Sequence, residues 1–403
     1  MKRFITLVGI LWGLTSLWAQ DYADNSVLST GKWTKMGIIE PGVYRLDFDA
    51  LASAGFEPSS IDPRNIHIYG NGGGMLPQSN EVERPDDLLE NAIEVVGEAD
   101  GSFDQGDFIL FYAEGSDKYV WNVESQLLGN EQNLYADTNY YFITVNSEPG
   151  KRISSVPNLP SSTFSASSLR GTAFHEVDLY NPIESGRFWL GESFSSAQSL
   201  QTFSLPTPDV PADRSVRVTF KVAAASSRPS QFTLQIDGID PIDVLIGEVT
   251  IGAETGNNYR FVSQTVSVPG SAMAGKDSID ITLQYTSTDF GATGWLDYID
   301  IDYDQAPSLN PNVGRMMMLV DNTGPGEVAE IQLKNGDAGY RIWNISDKAD
   351  IVSQEFEVNG SNLNLNLDAS DLKMLYAFKG GTQTPVSFAS VANQTLHSLN
   401  PVD

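Results

Sequence analysis

The sequence predicts a mainly β protein, built from successive antiparallel β-sandwich or jelly-roll-like domains with a few short helices. Three observations carry this. Apolar and polar residues alternate with period two over many short runs. Clusters of Gly, Pro, Asn and Asp punctuate those runs. Stretches with a helical period are almost absent. At 403 residues, the chain has room for roughly two or three domains, each with its own core.

Residues 1–20, MKRFITLVGILWGLTSLWAQ, read as a secretion signal. Lys2 and Arg3 form the positive head, an apolar stretch follows, and small residues near Ala19 suit a peptidase. An N-terminal β-rich domain is expected over 21–153. GVYRLDF alternates like a half-buried strand, and DALASAGF reads as a short helix with Asp49 as N-cap and Gly55 as stop. IHIYG, NAIEVVG, DFILFY and NYYFITV are further strands. Residues 154–170, rich in Ser and Pro, read as a linker. A β-sandwich follows over 171–305, with SVRVTFKVAA, QFTLQIDG, DSIDITLQYTS and GWLDYIDIDY as strands and Asp237-Gly238 as a hairpin turn. Residues 313–390 form a small β domain in which NLNLNLDA alternates strictly, and 391–403 read as the start of another linker.

Composition excludes several functions. The formal net charge is −28, and loss of the signal would remove only positive charge. Such a surface repels phosphate backbones, so no nucleic-acid partner is expected. There is no cysteine, hence no disulfide, thiol nucleophile or thiolate metal site in these residues. Histidines occur only at His67, His175 and His397, none at metal-ligand spacing, and His67 sits inside an alternating run. No stretch after the signal is apolar enough to span a bilayer.

Motif by motif, the chemistry is sparse. NIHIYGNGGGMLPQ lacks the Lys-Ser/Thr and the following helix that a phosphate loop needs, so its glycines read as a turn. In EADGSFDQGD, Asp100, Asp104 and Asp107 are weak calcium candidates, but Gln105 stands where an EF-hand needs glycine. Glu184 and Glu192, with Asp178, are the carboxylates a glycosidase reading would choose, yet nothing in sequence fixes their separation. Trp189 and Trp295 suit either a sugar platform or a sandwich core. No G-x-S-x-G elbow is present. No catalytic, cofactor-binding or firm metal residue is assigned, and no cofactor is expected.

An ordered set of strings carries a resemblance: GKWTKMGIIEPGVYRLDFDAL, IDPRNIHIYGNGGGMLPQSN, DLLENAIEVVGEADGSFDQGDFILFY, FHEVDLYNPIESGRFWLGESF, GWLDYIDI, YRIWNIS and VANQTLHSLNPVD. Together they resemble the N-terminal region of the PorU-like sortases of the type IX secretion system of Bacteroidota, which are gingipain-type cysteine peptidases. The resemblance covers nearly the whole chain after the signal. It implies that a catalytic domain carrying His and Cys follows, so this chain would be the front part of a longer protein. No position here matches the family's catalytic motifs, and His397 lies in the string before that domain would start.

The resemblance further implies what the full-length family member does. It removes the C-terminal sorting domain of exported cargo and attaches the cargo to surface lipopolysaccharide. Its partners are the downstream catalytic domain, the outer-membrane barrel PorV and the cargo, and its location is the cell surface. The β regions are then expected to scaffold or dock. Arg187 has two readings: an ion pair with Glu184 or Glu192 that fixes a turn, or a propeptide-like plug. The alternative function is a stand-alone secreted carbohydrate- or protein-binding module, with Trp295 at its site.

Overall fold

Most alternating runs become strands that pair their backbone with a neighbour, but NAIEVVG divides: Asn91 ends a strand of one sheet and Glu94–Val96 belongs to another. In the computed structural model these strands assemble three two-layered regions, described over residues 23–79, 81–82, 84–181, 188–249, 258–321 and 323–394. The expected signal, residues 1–20, lies outside the described residues. Among the described residues, no helix is long and apolar enough to cross a membrane.

In the first region, a five-stranded sheet runs Ser387–Val391, Trp33–Ile38, Asn139–Val145, Ile66–Tyr69, Glu90–Asn91. It packs against a three-stranded sheet of Gly42–Asp47, Phe108–Ala113 and Glu94–Val96. Met36, Ile38, Ile68 and Ile143 from one face meet Leu46, Ile109 and Phe111 from the other. A short helix, Phe48–Ser53, covers one end. Its N-cap is Asp47, whose carboxylate accepts from the Ala50 amide at 3.1 Å, and not Asp49, which falls in the first turn. Asp47 ends its strand in an extended conformation and so reaches the amide first. Gly55 follows the helix with φ of 87°.

The glycine run after Ile66–Tyr69 is a turn. Gly72 and Gly74 adopt φ of 79° and 84°. A Cβ on Gly73 would come within 2.6 Å of the Gly115 carbonyl oxygen. The Gly73 amide donates to the buried Glu114 Oε2 at 2.9 Å. A carboxylate occupies the place an anionic ligand would need.

The second region is a sandwich. Its outer sheet runs Leu200–Pro206, Ser278–Ser287, Ser230–Ile236, Ile242–Ile246. It faces Leu169–Glu176, Thr293–Gln305, Ser215–Ala225 and Arg260–Pro269 across a core that includes Phe194, Phe220, Phe232 and Tyr285. Gly238 takes φ of 94° in the expected hairpin turn. In the third region, Leu363, Leu365 and Leu367 point into a core with Ile331, Leu333, Met318 and Leu375.

The regions are woven together. Leu169–Glu176 pairs with Thr293–Gln305, and its Arg170 also pairs with Leu319 of Arg315–Val320. The sandwich and the third region thereby share one ten-stranded sheet. The Arg170 guanidinium ties the seam, reaching Asp302, Asp304 and Asp321 at 3.4, 3.6 and 3.0 Å. The stretch read as a linker also differs from expectation. Ser154–Val156 runs parallel to Val352–Gln354, and Phe164–Ser165 parallel to Ala329 and Glu330. Its serines resemble a flexible spacer in composition, but Phe164 and Ala166 pack on the third core. The end differs likewise. Ser387–Val391 leaves the third region and completes the first sheet beside Trp33–Ile38.

Candidate functional site: an acidic cleft beneath a hairpin

The hairpin of Lys118–Asn122 and Leu127–Glu131 lies in sequence between strands of the first region but packs on the sandwich strands Leu169–Glu176 and Thr293–Gln305. The Leu128 amide donates to Asp302 Oδ2 at 3.0 Å and pins it there. Beneath it lie two adjoining cavities of about 490 and 340 Å³, which share Asn130, Gln132, Phe174, Glu176 and Asp178.

The floor owes its chemistry to one irregularity. Along Thr293–Gln305, the apolar positions that enter the sandwich core are Leu296, then Ile299, Ile301 and Tyr303. The step from 296 to 299 breaks the period of two. Tyr298 pairs with Lys221 and Leu296 with Val222, so Asp297 is an extra residue opposite that pair. Such a β-bulge re-aims a side chain. It brings Asp297 to the face that also carries Asp300 and Asp302, where Lys221 Nζ meets it at 2.6 Å. The Lys221 ammonium also lies 5.1 Å from the Phe261 ring centre and 5.7 Å from that of Tyr298. Phe174 stacks on Tyr298 with ring centres 6.0 Å apart. Phe188 and Trp189 close the second cavity.

Electrostatics follow from this crowding. Burial pushes Glu176 up to about 8, reinforced by the carboxylates of Asp297, Asp178 and Asp117 and opposed by Lys221. Burial, with the Asp302 carboxylate, pushes Asp300 up to about 6. Asp178 is raised chiefly by burial, although Gln132 donates to it at 3.3 Å. At neutral pH the cleft holds an un-ionised carboxylic acid at Glu176 beside the Lys221–Asp297 pair. This arrangement presents donors and acceptors on an aromatic floor, which is the chemistry of binding.

The sequence-derived candidates divide. Asp178 lines the cleft. Glu192 lies behind it, held by His175 Nε2 at 2.9 Å. Burial raises the Glu192 carboxyl, but the His175 bond and its own backbone amide outweigh that and leave it lowered. Glu184 and Arg187 fall outside the described residues, as does His397. Trp295 is buried against Leu190 and Ala223 and packs edge-on to Tyr180 and Tyr259, so it is no exposed sugar platform. His67 is held by Glu90 at 2.7 Å and Asn146 at 2.9 Å inside the first sheet. Asp100 and Asp107 each accept a turn amide, from Ser102 and Asp104. Asp104 accepts from the Ser102 hydroxyl. Among the described residues, no three Asp, Glu or His side chains converge as metal ligands. Sequence reasoning missed Glu176, Asp297, Asp300 and Lys221. The only signal was the lost alternation in LDYIDIDY.

No family model matches the chain, and no curated relative matches it. Among solved structures, a calcium- and xylotriose-bound carbohydrate-binding module, CBM36, is 14% identical over 27% of this chain and 77% of its own, with a TM-score of 0.19. The module TmCBM61 with β-1,4-galactotriose is 14% identical over 26% and 63%, with a TM-score of 0.17. Both likenesses are too weak to carry an argument. Dimeric latent PorU from Porphyromonas gingivalis is 20% identical with a TM-score of 0.75 over 94% of this chain and 35% of that protein. The chain has a PorU-like fold and spans about a third of that protein's length.

Proposed function

We propose that the chain is the non-catalytic front region of a PorU-like type IX secretion sortase, exported to the cell surface, where it scaffolds the catalytic domain and docks partner and cargo. The observation that carries this reading is the fold likeness over 94% of the chain, joined to the ordered sequence strings. A sortase of this family forms a thioester, and a chain without cysteine cannot. The work of these residues is therefore to hold and present. The weave supports that role: Asn393 donates to the carbonyls of Leu28 and Gly31, so the chain leaves the last strand from a fixed point on the first region. A domain attached there would be oriented by the first sheet. The overhung cleft is the docking face in this reading, with its rigid floor and exposed rim.

The test has two parts. The reading frame beyond codon 403 should continue into a domain carrying His and Cys; an immediate stop codon contradicts the sortase assignment. The purified chain should be retained by PorV in detergent, and retention should drop on Asp297→Lys. Absence of capture, with a full sortase frame present, would remove docking while leaving scaffolding.

A further inference from the structure

The two cavities beneath the hairpin form one trough, because they share lining residues. One end of it is aromatic. Phe174, Tyr298 and Phe261, from three strands of the sandwich, line the second cavity together with Phe188 and Trp189. Phe261 and Phe188 keep 41% and 52% of their surface exposed, with ring centres 6.4 Å apart. Large apolar rings held side by side at the mouth of a cavity and left open to water mark a surface that a partner covers.

Charge selects the guest. Seven carboxyl groups line the trough, Asp117, Asp178 and Asp300 among them. Among the described residues, Lys221 is its only lysine or arginine, and Asp297 already holds that ammonium at 2.6 Å. An anion is repelled there, and a neutral guest leaves the carboxylates unanswered. Among the described residues, no three of these side chains converge as metal ligands, so the charge is spread along the trough and suits an organic cation. Lys221 itself shows how this floor takes one, with a carboxylate at its ammonium and the Phe261 and Tyr298 rings beneath. A guanidinium makes both kinds of contact at once: its flat face lies on a ring while its edge pairs with a carboxylate. The open rings of Phe188 and Phe261 and the exposed carboxylate of Asp178 border the same cavity. Two adjoining cavities of about 490 and 340 Å³ exceed what one side chain fills, so the guest continues along the trough.

We propose that the trough binds an arginine side chain carried on an extended segment of a partner protein. This rests on the docking reading of the cleft and names the chemistry of its guest. Isothermal titration of the complete protein at low salt tests it, with a capped Gly-Arg repeat peptide as probe and the same peptide carrying citrulline, which keeps the shape and loses the charge, as control. The arginine peptide should bind about tenfold more tightly than the citrulline peptide, and added salt should narrow the gap. Phe188→Ala and Asp178→Asn, both at exposed positions, should each weaken it roughly threefold. The proposal is overturned if the arginine peptide gives no saturable heat, if the citrulline peptide binds as tightly, or if both variants leave the affinity unchanged. Capture by PorV without binding of the arginine peptide would likewise remove the arginine guest and leave docking. Binding of the arginine peptide without capture by PorV would uphold the guest and contradict PorV as the partner that carries it.

Discussion

The sandwich and the first region are both two-layered and antiparallel, yet they are finished differently. The outer sheet of the sandwich draws all four strands from one stretch of chain, Leu200–Pro206 to Ser278–Ser287. The first sheet takes its edge strand, Ser387–Val391, from beyond the third region. Loop-closure entropy rises only slowly with loop length, so a distant strand is a tolerable partner once the intervening regions have folded. The difference teaches that period-two alternation marks a strand but is silent about which strand it will join.

Phe232 is fully buried and packs on Phe194 and Tyr285 at 5.1 and 4.8 Å. Phe232→Ala should cost about 3–5 kcal/mol in urea unfolding. A cost below about 1 kcal/mol would show that the sandwich core is not its own support. Breaking the seam comes next. Arg170→Met removes the partner of three carboxylates, of which Asp302 is buried, and should cost about 2 kcal/mol and loosen the third region against the sandwich. Phe388 is partly buried against the first core, so Phe388→Ala should cost about 1 kcal/mol and act on the first region, although its sequence neighbours belong to the third.

The smaller effects concern the cleft and the turn. Below pH 4.5, folded and unfolded chains both hold the Glu176 proton. Between 4.5 and about 8 only the folded chain does, so stability falls as pH rises through that window and is level above it. Glu176→Gln removes this loss. The variant should match wild type below pH 4.5 and exceed it increasingly up to pH 8, as read by Tm against pH; a parallel offset at every pH would contradict the assignment. Calcium should leave Tm unchanged, because Asp100, Asp104 and Asp107 already accept hydrogen bonds within the turn. A calcium-dependent rise would restore them as ligands.

Legibility follows the same division. NLNLNLDA and SVRVTFKVAA were readable because their partners impose the same period that they carry themselves. The glycine turn was readable from the missing Lys and helix. The Ser/Pro stretch was not, since strand pairing there is made by backbone groups and two side chains, Phe164 and Ala166, that composition hides. Asp47 does not stand out as a cap in sequence because it is also the last residue of its strand, with the helix starting at Phe48. The cleft was least legible. Asp297 faces Lys221 through a bulge, and Glu176 owes its state first to burial and then to the carboxylates of Asp297, Asp178 and Asp117, which come from separate parts of the chain.

A strand from beyond the third region completes the first sheet. Amide hydrogen exchange read by mass spectrometry over residues 387–391 tests it most directly. The account predicts protection of the amides that face Trp33–Ile38, lost together with that strand's protection in Phe388→Asp. Exchange at the rate of an unstructured peptide in the native protein, with Trp33–Ile38 still protected, would contradict it.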